Sequence, residues 1–106
     1  MAAFDTAITP VSSAPANTSN AALFTASADT SVLVDAANIG SDTVRIRVGI
    51  TPSGGSVHWK VYDLPVVAED AVSGLGPWFL QNGDAITVRT DTADDAVFSL
   101  TGVESS

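Results

Sequence analysis

Cysteine is absent from these 106 residues, histidine occurs once, and lysine and arginine together number four. Without thiols there can be neither a disulfide framework nor a thiolate metal site, so a small core must suffice or be completed by association. Four bases against twelve acids give a net charge of −8. That balance repels a phosphate backbone or an anionic membrane, and neither nucleic acid nor a membrane is an expected partner. No apolar run approaches the roughly 18 residues of a membrane span. Residues 1–20 also lack the basic start and continuous apolar stretch of a secretory signal.

What is present is alternation. Charged residues make up only 15% of the chain, so much of the surface is built from Ser, Thr, Ala and Gly, which suits burial against other subunits as well as solvent. The length allows one domain with one core, in which roughly 65% of the unfolded surface is buried. Residues 1–21 carry Pro10 and Pro15 and sustain no period, and they are expected to form an extended arm. Phe4, Ile8 and Val11 would anchor that arm on a neighbouring subunit, where main-chain pairing supplies the rest. The arm is expected to be dispensable for folding. Asn17-Thr18-Ser19 matches a glycosylation sequon, which without a secretory signal reads as polar arm.

Residues 22–106 are expected to form the domain. Thr30 to Ala37 places Val32, Val34 and Ala36 on one side, and Asn38 to Asp42 makes a turn. Thr43 to Thr51 follows with Val44, Ile46, Val48 and Ile50 opposite Arg45 and Arg47. After the turn at Pro52 to Ser56, Val57 to Leu64 would place Val57, Trp59 and Val61 on one face and His58, Lys60 and Tyr62 on the other, making a hairpin with the preceding strand. Pro65 is expected to end that strand. Val66 to Gly76 is irregular and accommodates a short helical turn at Ala68 to Val72. Gln81-Asn82-Gly83-Asp84 reads as a hairpin turn between Pro77–Leu80 and Ala85–Arg89. Ala96, Phe98 and Leu100 point inward from the last strand. The pattern predicts an all-β fold, an antiparallel β-sandwich or jelly-roll-like barrel.

Catalytic patterns are lacking. His58 has no serine on a strained G-x-S-x-G turn to activate, and it reads as a polar strand residue. Asp91, Asp94 and Asp95 lack the spacing and distal Glu of a calcium loop and read as a solvated turn. Ser53-Gly54-Gly55 lacks the lysine of a phosphate loop. No enzyme activity, cofactor or metal is expected. All four basic residues, Arg45, Arg47, Lys60 and Arg89, fall inside expected strands. In the hairpin, Arg45, Arg47 and Lys60 would share one outer face, paired across strands with Asp35 or Asp63 or meeting an acidic surface of another subunit. Most of the aromatic residues are expected in the core, with Trp78 and Phe79 able to project as an interface anchor.

The segments ALFTASADTSVLVDAANIGSDTVRIRVGI, WKVYDLPV, LQNGDAITVRT and AVFSLTGVE, which lie within Ala22 to Glu104, resemble small β-sandwich structural proteins of tailed bacteriophage virions. Head-decoration, neck and tail-associated proteins are all included in that group. The resemblance implies a non-enzymatic virion component that binds the major capsid protein or other virion proteins and forms a homo-oligomer, with a trimer favoured. A capsid decoration or cement protein is the first expectation. A neck, tail or fibre component, or a carbohydrate-binding module stacking Trp59, Tyr62 or Trp78 on a sugar, is the alternative.

Overall fold

The computed structural model describes residues 4–105, with side chains from residue 6 onward. Nine strands occur among them: β1 (Phe4–Ala7), β2 (Val11–Ser13), β3 (Ala21–Thr25), β4 (Thr30–Asn38), β5 (Val44–Thr51), β6 (His58–Val66), β7 (Ala71–Leu80), β8 (Ala85–Thr90) and β9 (Ala96–Ser105). Sheet A has the order β1-β9-β4-β7, with β2 also on β9, and sheet B has the order β3-β8-β5-β6. All pairings are antiparallel. β1 takes one end of the outer edge of β9 and β2 takes the other, so together they act as a single interrupted edge strand. With β1 and β2 counted as one strand, the described residues form a jelly roll of four strands on four, in which only the β5–β6 connection joins two different strands of one sheet.

The alternation read from the sequence fixes which side of each strand faces in. Val32, Val34 and Ala36 of β4, Val44, Ile46 and Val48 of β5, Ile86 and Val88 of β8, and Ala96, Phe98 and Leu100 of β9 form one buried cluster between the sheets. Each large side chain fully removed from water there contributes about 1.5–3 kcal/mol. Thr30, Asn38, Thr87 and Thr90 are the buried polar residues among those described, and Asn38 makes the most side-chain hydrogen bonds of the four. Its Nδ2 donates to the carbonyls of Asp42 (2.7 Å) and Val66 (2.9 Å), and its Oδ1 accepts from the Gly40 N–H (2.9 Å).

Four expectations are corrected. Gln81–Asp84 does turn, with Asp84 N–H donating to the Gln81 carbonyl at 3.0 Å, but it carries the chain from sheet A to sheet B. Only Gly83 has positive φ there (94°), as in a type II turn, which splays its flanking strands where a type I′ turn would pair them. Residues 68–72 contain no helical turn: the Val67–Asp70 turn closes with Asp70 N–H on the Val67 carbonyl (3.2 Å) and β7 begins at Ala71. Pro65 lies within β6, opposite Arg45, a position tolerated because β6 is an edge strand. Residues 4–13, expected to reach onto another subunit, run along β9 of the same chain, with Ile8 and Val11 half-buried against its core. The Phe4 backbone pairs with Ser105; its side chain lies outside the described residues.

Candidate functional site

β5 and β8 pair with Ile46, Val48 and Ile50 opposite Thr90, Val88 and Ile86. Alternation then turns the intervening residues outward, and Arg47 stands directly opposite Arg89. Like charges in that relation destabilise a ladder unless something offsets them.

The offset comes from β6, which carries one extra residue at this point. Ile46 pairs with Leu64 and Val48 with Val61, so Tyr62 and Asp63 both stand opposite Arg47, and Asp63 takes a φ of 53°. Arg47 Nε donates to Asp63 Oδ1 at 2.7 Å and Nη2 to Oδ2 at 3.4 Å. The guanidinium carbon lies 4.0 Å from the Tyr62 ring centre and 5.8 Å from that of Trp59. Trp59 in turn meets Tyr62 edge-on, with centroids 6.4 Å apart. The hydrogen bond from Arg47 pulls the Asp63 carboxyl below its ordinary 3.8; burial opposes this, and the charges of Arg47, Arg45 and Arg89 reinforce it. Arg47 is raised by the same bond.

Arg45 Nη1 donates to the Asp63 carbonyl at 3.2 Å, and its backbone N–H donates to Asp91 Oδ1 at 2.9 Å. Among the described residues the Arg89 side chain has one hydrogen-bond partner, Asn20, whose Oδ1 lies 3.5 Å from its Nη1. The three arginines line a surface cleft of about 280 Å³, with Thr18, Asp63, Thr90 and Asp91 completing its walls.

The arrangement differs from the expected patch in one member. Lys60 is exposed on β6 and does not line the cleft; Arg89 takes that place. The inward positions of Ile86 and Val88 already required Arg89 to face outward, so the signal was in the sequence. Trp59 leaves the expected inward face. A second register shift, between the Val48–Val61 and Gly49–Trp59 pairs, turns it outward. It then covers Gly49, where a Cβ would lie 3.0 Å from the indole and 2.6 Å from the His58 carbonyl. Trp78 packs against the core, whereas Phe79, the next residue along the strand, is 69% exposed. His58 is exposed at the start of β6. Among the described residues no group of three or more His, Asp or Glu is placed to hold a metal.

No protein-family model and no curated protein matches the chain. The structure is similar to one described under "Bacillus endospore appendages form a novel family of disulfide-linked pili", at 12% identity and a TM-score of 0.58, over 94% of this chain and 88% of that one. It is more distantly similar to the globular domain of zebrafish complement 1qA protein, at 11% identity and a TM-score of 0.44, over 90% of this chain and 95% of that one. For Eiger TNF from S. frugiperda the values are 14% and 0.38, over 80% and 63%. What the chain shares with the pilus protein at that identity is the fold.

Proposed function

We propose that this chain is a non-enzymatic structural subunit that assembles with copies of itself through the outer face of sheet A. The carrying observation is the composition of that face. In β4 and β9 it presents Ser31, Leu33, Asp35, Ala37, Val97, Ser99, Thr101 and Val103, with Asp35 the only charge. Ser31 lies between Phe79 of β7 and Val103 of β9, with Leu33 one position further along the same face of β4. Phe79, Leu33 and Val103 are 69%, 40% and 37% exposed. All four basic residues lie on sheet B. A charge-poor face with large apolar side chains at one end has the composition of an interface core, and a second copy fits it.

The edges point the same way. β6 carries two register shifts and Pro65; β7 carries two register shifts and positive-φ Gly74 and Gly76. The opposite edges are also irregular: β3 carries one register shift, and β1 and β2 are separated by a break that includes Pro10. Irregular edges resist strand addition, which favours a face for assembly.

The finer reading is a decoration protein on the outer surface of a tailed-phage head, acting as an oligomer with a trimer favoured. It rests on the resemblance of the Ala22–Glu104 segments, and the jelly roll is a fold that viral capsid domains use. Fold likeness to a pilus protein favours a second reading, a filament subunit; with no cysteine, such a filament would be held without disulfides. Immunogold electron microscopy on particles from the source organism tests these. Label over heads supports decoration; label on necks, tails or fibres moves the subunit elsewhere on the virion; label along non-viral filaments supports the second reading. Absence of label from every assembly contradicts the structural role.

A further inference from the structure

We propose that the arginine cleft on the outer face of sheet B is a binding site for a carboxylate group, supplied by an acidic side chain of another copy or by a free carboxylated sugar. A chain with eight more acids than bases places three of its four cations around one cleft of about 280 Å³. Two of them, Arg47 and Arg89, stand opposed on neighbouring strands. That juxtaposition costs stability, and Asp63 offsets only part of it. Among the described residues the Asp63 carboxylate bonds to Arg47 alone; Arg45 reaches a carbonyl, and Arg89 an amide at 3.5 Å. Donors on Arg45 and Arg89 therefore remain for a ligand beside a guanidinium already fixed by Asp63, Tyr62 and Trp59.

The walls select the kind of anion. Asp63 and Asp91 repel a dianion such as phosphate or sulfate more strongly than a singly charged carboxylate, and it is this charge difference that selects; the guanidinium forks can then hold the carboxylate with two parallel hydrogen bonds. Thr18 and the two wall carboxylates can partner hydroxyls beside the bound group. The proposal is independent of where in an assembly the chain belongs.

The test is NMR titration of the full ¹⁵N-labelled chain, observing arginine Nε–Hε signals, with sodium glucuronate, glucose and sodium sulfate at constant ionic strength. Saturable shifts of the Arg89 and Arg45 signals with glucuronate are expected, with none for glucose and weaker binding for sulfate. Arg89→Gln should weaken glucuronate at least tenfold while leaving the melting temperature unchanged or raised, since it relieves the opposition to Arg47. Arg45→Gln gives a second reading of the same loss. Absence of saturable shifts, tighter binding of sulfate, or unaltered affinity in both variants would overturn the assignment. Sedimentation of the Arg89→Gln variant separates the two sources within a positive result: reduced self-association identifies a second copy's acid as the occupant, and unchanged self-association identifies a free ligand.

Discussion

The side-chain amide of Asn38, at the end of β4, donates to the carbonyl of Val66, at the end of β6, across 2.9 Å, and so ties sheet A to sheet B. Asn38 is 2% exposed and also serves Asp42 and Gly40. Replacing it with Leu leaves the buried Val66 carbonyl without its partner and removes the part-buried bonds to Asp42 and Gly40. Asn38→Leu is expected to lower stability by about 2–3 kcal/mol, from the cost of unsatisfied buried groups. Urea unfolding checks this; a midpoint equal to wild type would show that the amide does not join the sheets.

Asp63 and Arg47 make a pH-dependent contact. Because the folded carboxyl titrates below 3.8, its contribution is complete above the unfolded value and is lost as pH falls through the lower folded one. Carbon-detected titration of Asp63 should give a midpoint under 3.8 that returns toward 3.8 in Arg47→Gln. Below both values, wild type and Asp63→Asn should differ less in melting temperature than they do at pH 7. A normal Asp63 midpoint would remove the clamp on Arg47.

Residues 4–13 complete sheet A, so their removal should destabilise the fold. Deleting residues 1–13 exposes the outer edge of β9 and withdraws Ile8 and Val11 from the core surface. A loss on the order of 2–3 kcal/mol is expected from those two half-buried side chains and the broken ladder. Aggregation through the bared edge should accompany it. An unchanged melting temperature would return the segment to the role of a dispensable arm.

Much of the fold could be read in the chain because inward-facing residues alternate cleanly in β4, β5, β8 and β9, where sheet burial demands a period of two. Reading failed where a strand carries an extra residue or a residue usually found in turns. Gly74, Gly76 and Pro77 made β7 look like a loop, although its register shifts accommodate them within a ten-residue strand. The two register shifts in β6 broke the alternation around Trp59 to Asp63, and nothing in that segment's composition marks them. The cleft is half legible: alternation puts Arg45 and Arg47 on one face, but Arg89 joins them only through the β5–β8 pairing, a contact between segments some forty residues apart. Residues 4–13 read as a tail because an edge strand interrupted at Pro10, with Pro15 just beyond it, has the composition of one.

Self-assembly through the outer face of sheet A can be followed by sedimentation velocity over a concentration series. The intact chain should sediment as an oligomer. The Leu33→Ser, Phe79→Ser double variant should sediment as a monomer with little change in melting temperature, because both side chains are exposed in the single chain. A wild type that stays monomeric at every concentration, or a double variant that associates as wild type does, would rule out assembly through this face.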